Sequence, residues 1–447
     1  MIFKLSKYLH IVNDKSLLGD YCILYSTRSG AVLQIINKHL DAIKIGRYED
    51  VPYSILRKLI EKKIIVNNNE DELISILNFN KAAILEDDTL SYTVQPTSNC
   101  QLGCRYCGQV HSKNVMSSKV ADAVIARISN LINIKKDKIR HLGITWYGGE
   151  PLTGLDALEY CSDSLQKISE KNGISYSASM ITNGLSLKYD LFKKLVTKHK
   201  ISSFQITLDG TKEFHDRRRM LKNGQESFDI IFANIKKIVL SDFFEEANAN
   251  ITIRSNVDSE NKDNILELMD LLKVNGLHNK INFAIAPIFN WGDNNASKAN
   301  PIDKNTFAKF EIDVMLKQIH DGFLINKGVV PQRQKTVCMV VAPNSEVFDG
   351  FGNVSTCWEV PYTPFYENKG FVAGNVFTNP SVSTKNTLMR NWYDEVPKND
   401  SWCKDCKFLP VCGGGCPKSW YMGEPACPSF KFNIEDRILI EKFNLIR

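Results

Sequence analysis

Cysteine constrains this chain more than any other residue type. There are 12 in 447 residues, and all but two fall in two groups. The first group is Cys100, Cys104 and Cys107. The second runs through Cys338, Cys357, Cys403, Cys406, Cys412, Cys416 and Cys427. Cys22 sits in a strand pattern and Cys161 in a helix pattern, and both read as small buried hydrophobes. Grouped cysteines pair as disulfides in oxidising compartments and bind metal in reducing ones. The stretch Met1–Lys7 lacks the apolar core of a signal peptide, and no run of about 18 apolar residues would span a membrane. A cytoplasmic location is therefore expected, and with it metal binding. The net charge of +6 is spread over the chain, and the basic run Arg217-Arg218-Arg219 sits among acids. Most of the charge reads as solvated surface, so neither nucleic acid nor membrane is expected as a partner.

Three regions follow from periodicity. In residues 1–88, Tyr21–Thr27 and Ala31–Ile35 read as strands around an Arg28-Ser29-Gly30 turn. Helical patterns follow near 36–45, 52–62 and 70–78, which gives a winged-helix-like module. In residues 89–325, strand signals start near Leu90, His141, Tyr176, Ser203, Asn250 and Ile281. Helical patterns alternate with them over Ser117–Ile134, Leu155–Lys171, Leu187–His199, Phe228–Leu240, Lys262–Val274 and Lys304–His320. Six such units predict an α/β fold, a partial (β/α)6 barrel with a parallel sheet, and reactive residues at the C-terminal strand ends. In residues 326–447 periodicity fades and Gly, Pro, Asn and Cys dominate. Metal binding is a physical way to order such a segment. Asn433–Phe443 reads as a closing helix.

The first group has C-x3-C-x2-C spacing and begins just after the first barrel strand. Three thiolates leave one iron of a cubane cluster open to an external ligand. Zinc with His111 as fourth ligand is the rival, although this is not a usual zinc spacing. Gly148-Gly149-Glu150-Pro151 follows the second strand, Thr182-Asn183-Gly184 the third, and Thr207-Leu208-Asp209-Gly210 the fourth. His215-Asp216-Arg217-Arg218-Arg219 comes next. Together these resemble the radical S-adenosylmethionine (SAM) superfamily. The resemblance implies a [4Fe–4S] cluster on Cys100, Cys104 and Cys107, with the methionine part of the cofactor on its fourth iron. Reductive cleavage would give a 5′-deoxyadenosyl radical that abstracts a substrate hydrogen. It also implies that Tyr106, the aromatic before the third cysteine, Gly148, Gly149 and Glu150 bind the cofactor, with Glu150 on the methionine amino group. Thr182, Asn183 and Thr207 would join them. Arg219 would pair with the cofactor carboxylate, with a surface ion pair as its alternative. Arg254 and Asn256 on the fifth strand would face the cofactor too.

The second group resembles the SPASM extension of this superfamily. The resemblance implies two auxiliary [4Fe–4S] clusters, three clusters in all. Cys403, Cys406, Cys412 and Cys427 would hold one, and Cys338, Cys357 and Cys416 the other. Some sulfatase maturases have an eighth cysteine where this chain has Asn344, which leaves either an open iron or a non-cysteine ligand. They also carry an aspartate base directly after the cysteine that matches Cys357. Trp358 stands there, followed by Glu359, which is a candidate base or an ordinary surface glutamate.

SPASM extensions are common in enzymes that modify ribosomally made peptides, and residues 1–88 resemble their peptide-recognition module. The expected function is a peptide maturase that forms a thioether or carbon–carbon crosslink. Its expected partners are a precursor peptide, with its leader on the N-terminal module, and a reductant such as flavodoxin or ferredoxin. Oxidation of Ser or Cys in a protein, or of a small molecule, is the alternative. A non-catalytic iron–sulfur electron-transfer protein is another, which the intact Gly148–Pro151 and Thr182–Gly184 elements oppose.

Overall fold

The computed structural model describes residues 3–289, 299–325, 328–378, 388–399, 401–423 and 426–444. The chain forms two compact units that interleave along the sequence. The first comprises Met1–Glu86, Lys327–Ala342 and Asn391–Arg447; the second comprises Asp87–Asn326 and Pro343–Arg390.

The first unit begins with β1 (Phe3–Leu5), β2 (Leu9–Val12), α1 (Lys15–Leu18), β3 (Tyr21–Ser26) and β4 (Val32–Ile36). It continues with α2 (Asn37–Lys44), α3 (Tyr53–Glu61), β5 (Ile65–Asn67) and α4 (Glu72–Glu86). Strands β2, β3 and β4 form an antiparallel sheet, and β1 pairs with β5. β3 reads as an unbroken apolar run because both of its faces are covered. Cys22 and Leu24 pack with Leu40, Ile43 and Leu59 of α2 and α3. Ile23 and Tyr25 pack with Val330, Phe408, Ile434 and Ile438. The last two belong to the C-terminal helix Phe430–Asn444.

The second unit alternates strand and helix: β6 (Thr89–Val94), α5 (Ser118–Ile134), β7 (His141–Trp146), α6 (Leu155–Lys171), β8 (Ser175–Thr182), α7 (Tyr189–Thr197) and β9 (Ile201–Thr207). After the short α8 (Lys212–Arg219) come α9 (Phe228–Val239), α10 (Asp242–Glu246), β10 (Asn250–Val257), α11 (Asn264–Val274), β11 (Asn282–Pro287) and α12 (Lys304–Asp321). β6 to β11 are parallel and lie in chain order. Alternation decides which face meets the helices. On β7, Leu142, Ile144 and Trp146 are buried in the core with α5 and α6 side chains such as Val124, Ile128 and Leu158. The other face carries Thr145, Ser179, Gln205 and Arg254, half-buried. Ser117 caps α5, its Oγ accepting from Val120 N–H at 3.3 Å.

The sheet extends beyond β6 in a way the sequence pattern does not show. β12 (Ser345–Phe348) joins β6 in parallel, and β13 (Asn353–Ser355) and β14 (Val372–Asn375) follow antiparallel. Three or four residues are too few to give a readable alternation. A bidentate ion pair fastens β12 to α5: Arg127 donates from Nε to Glu346 Oε2 at 2.8 Å and from Nη2 to Oε1 at 2.7 Å.

Candidate active site

The loop carrying Cys100, Cys104 and Cys107 leaves the end of β6. The turn after β7 packs directly beneath its start. A Cβ on Gly149 would lie 2.3 Å from Asn99 O, and one on Gly148, whose φ is +134°, would lie 2.8 Å from Thr97 O. Only glycine permits this approach. Glu150 N–H then bonds Asn99 O at 2.7 Å.

Glu150 is buried, and burial pushes its carboxyl upward in pKa against three stabilising hydrogen bonds. It accepts from Asn183 N–H at 2.6 Å, Thr182 Oγ1 at 2.7 Å and Leu152 N–H at 3.1 Å. Asn183 in turn donates from Nδ2 to Gln101 Oε1 at 3.2 Å, with Cys100 Sγ at 3.7 Å. The ends of β7 and β8 are thus tied to the first cysteine. Thr207 is buried at the end of β9, opposite Arg254 in the β9–β10 register.

Tyr106 is held by its hydroxyl, which donates to Asp209 Oδ2 at 2.5 Å and accepts from Arg219 Nη1 and from Asn256 Nδ2 at 3.1 Å. Arg219 is buried rather than at the surface, so its surface-pair alternative is corrected. The sequence shows Asp209 only as part of its motif and gives no sign that it anchors Tyr106. His215 accepts from Asp209 N–H at 3.3 Å and faces Ser227 Oγ at 3.1 Å, and Asp216 caps α9 through the N–H groups of Ser227 and Phe228.

Burial pushes the Cys100 thiol up to about 12 and that of Cys107 to about 11, with neighbouring negative groups adding to both. Cys104 is raised as well, and Arg219 opposes that shift. Three crowded thiols with so little counter-charge are a donor set that a metal group would hold as thiolates. His111 Nε2 lies 3.8 Å from Cys107 Sγ, and burial lowers the imidazole to about 4. Among the described residues no three His, Cys, Asp or Glu side chains converge on a single ion. A cubane spreads its ligands more widely than a single zinc ion does.

Glu359 is half-buried in the same unit, following the buried Cys357. Burial is the main cause that raises the Tyr147 hydroxyl and the Cys107 thiol; the Glu359 charge adds to both, and Arg254 opposes it at Tyr147. The Trp358 ring lies 6.1 Å from that of Tyr147, and Gln95 Nε2 donates to Trp358 O at 3.3 Å. Sequence reasoning does not single out Tyr147 and Gln95, at the ends of β7 and β6. The aromatic directly before Gly148 is the available signal.

In the first unit, Cys403, Cys406, Cys412 and Cys427 act on one another electrostatically. Burial and the other three thiols push Cys412 up to about 12, and Cys403 reaches about 11. Gly413, Gly414 and Gly415 all have positive φ, and Trp392 and Trp420 donate from Nε1 to the carbonyls of the first two at 2.8 and 2.7 Å. Cys338 and Cys416 lie in this unit, and Cys357 in the other. Asn344 is buried with its side chain engaged. Its Oδ1 accepts from Lys135 Nζ and its Nδ2 donates to Asp87 O at 3.1 Å.

Residues 94–272 match the family model of the Radical SAM superfamily. These residues form a radical SAM domain. The superfamily binds a [4Fe–4S] cluster and SAM. The enzyme is 26% identical over 378 residues to a cysteine-type anaerobic sulfatase-maturating enzyme of Clostridium novyi (strain NT), covering 79% of this chain and 93% of that one. It is 24% identical over 310 residues to the radical SAM cyclopropyl synthase TigE of Paramaledivibacter caminithermalis, covering 61% and 63%. A solved structure of histidine-tagged anSMEcpe with bound AdoMet superposes with a TM-score of 0.58 at 18% identity, covering 80% of this chain and 96% of that one. That likeness is one of fold. Among the described residues, no helix of this enzyme is long and apolar enough to cross a membrane.

Proposed function

We propose that this radical SAM enzyme is a peptide maturase that closes a thioether or carbon–carbon crosslink in a precursor peptide. The observation that carries the reading is the free edge of β4. Ser26 N–H bonds Ala31 O and Asn37 N–H bonds Asp20 O. With Tyr25 opposite Val32 and Ile23 opposite Gln34, the N–H and C=O groups of Val32, Gln34 and Ile36 point away from β3. Among the described residues no strand pairs with that side. Its sequence, Val-Leu-Gln-Ile-Ile, has none of the charges or prolines that protect natural edges. A groove lined by Val32, Gln34, Val330, Gln332, Glu441 and Lys442 adjoins it. An extended leader can add as a strand here, with alternate side chains entering the groove.

Cys100, Cys104 and Cys107 would hold the catalytic cluster, with Gly148, Gly149, Glu150, Thr182, Asn183 and Thr207 around the cofactor. When bound, cluster and cofactor supply the one-electron chemistry that removes a hydrogen atom from the substrate. Closing the crosslink removes a second hydrogen as a proton and an electron. Glu359 would take the proton. Cys403, Cys406, Cys412 and Cys427 would hold a group that accepts the electron. The named relatives fit this class: one acts as a sulfatase maturase and another as a cyclopropyl synthase, and an anSMEcpe structure is described with a bound peptide.

Sulfatase-maturase-like oxidation is favoured by the relative that spans most of this chain. Product chemistry separates the two. Under anaerobic reduction with SAM and a candidate precursor peptide, a crosslink gives 5′-deoxyadenosine and a peptide lighter by two hydrogens with no aldehyde. A hydrazide-reactive aldehyde would instead support the oxidation. Gln34→Pro should weaken leader binding without stopping reductive cofactor cleavage, whereas Cys104→Ala should stop it.

A further inference from the structure

The stretch Arg218–Lys222 is bound to the cysteine loop backbone to backbone. Gly103 N–H bonds Met220 O at 2.9 Å, Arg105 N–H bonds Arg218 O at 3.0 Å, and Lys222 N–H bonds Gln101 O at 2.9 Å. Leu102 faces Leu221 in an antiparallel bridge. The loop therefore keeps its place relative to three consecutive arginines, and the three have different fates. Arg217 is exposed, with Glu213 at 3.9 Å. Arg218 is buried but neutralised by Asp258 at 2.5 Å. Arg219 is only 7% exposed. Among the described residues it pairs with no carboxylate, and its Nε has no hydrogen-bond partner. Its Nη1 is fixed by Tyr106, two residues beyond Cys104. The negative group acting on it most strongly is Cys104.

We infer that Arg219 is a positioning residue for the iron–sulfur group of Cys100, Cys104 and Cys107: pinned by Tyr106, its buried charge bears on Cys104 and raises that group's reduction potential. Adding an electron adds negative charge in a buried site, and a nearby fixed cation stabilises the product. This differs from the sequence-based role, in which the guanidinium binds the cofactor carboxylate. It rests on the reading of the three cysteines as cluster ligands, which iron content in the same samples checks separately.

The test is a dithionite titration of the anaerobically reconstituted full chain with redox mediators, followed by electron paramagnetic resonance. The signal that changes on adding SAM marks the site. Arg219→Gln should lower its reduced-to-oxidised ratio at a fixed potential by roughly tenfold, which is about 59 mV for one electron. Arg219→Lys, which keeps the charge, should restore most of it, and Arg217→Gln should leave it unchanged. Tyr106→Phe releases the pin and should shift it in the same direction by less. If Arg219→Gln fails to retain iron, Tyr106→Phe decides alone. An unshifted potential with weakened SAM binding would overturn the inference in favour of the carboxylate role.

Discussion

At the scale of single residues, close approach matters as much as chemistry. Gly149 has no room for a methyl group because Asn99 O lies 2.3 Å from where its Cβ would be. Gly149→Ala should shift the cysteine loop, with an overpacking cost of about 1–3 kcal/mol. The expected result is a protein that still folds, by circular dichroism, but retains less iron and cleaves less SAM. An iron content and cleavage rate equal to the parent's would refute the close packing. Asn344 makes the opposite prediction. Its amide is committed to Lys135 and the Asp87 carbonyl, so Asn344→Ala should keep full iron while losing about 1 kcal/mol of stability. Iron loss would show a ligand role. Both sites expose the limit of a sequence reading at this scale. Cys100, Gly149, Glu150 and Asn183 stand out as motif residues, but nothing in a motif states that Asn183 reaches back to Gln101 and Cys100.

Among elements, legibility follows length. Leu155–Lys171 shows several turns of period 3.6 and is found as read, and the six long strands are equally plain. β12 to β14 escape a sequence reading because they are three or four residues long and are held by partners far away in sequence. The Arg127–Glu346 pair supplies what their local pattern lacks. Both side chains are less than a tenth exposed, so removing one partner takes a buried ion pair apart. Arg127→Ala should cost about 3–5 kcal/mol, and a double change to Met and Leu should recover most of it. Urea unfolding of the three proteins reads this directly. Trp358 and Glu359 follow β13, so the single variant should also lose crosslinked product more than it loses 5′-deoxyadenosine release. Equal stability of the single and double variants would sink the argument.

For the whole molecule, the deciding fact is that residues 327–342 and 391–447 pack with residues 1–86. Local patterns cannot announce such a return, because each segment looks self-contained in its own window. The consequence falls on β3. Its Cys22–Leu24 face is covered by the helices that follow it in sequence, but Ile23 and Tyr25 are covered by Val330, Phe408, Ile434 and Ile438. A fragment of residues 1–88 alone would leave those two side chains, both fully buried in the chain, against water. It should be poorly folded and bind hydrophobic dyes. In the full chain, Ile438→Ala should cost about 2–5 kcal/mol, and it should act at a distance in sequence. Amide exchange should quicken in β3 and β4, more than 400 residues upstream, and leader affinity should fall with the loosened β4 edge. Protection of β3 unchanged by Ile438→Ala would mean that residues 1–88 stand on their own.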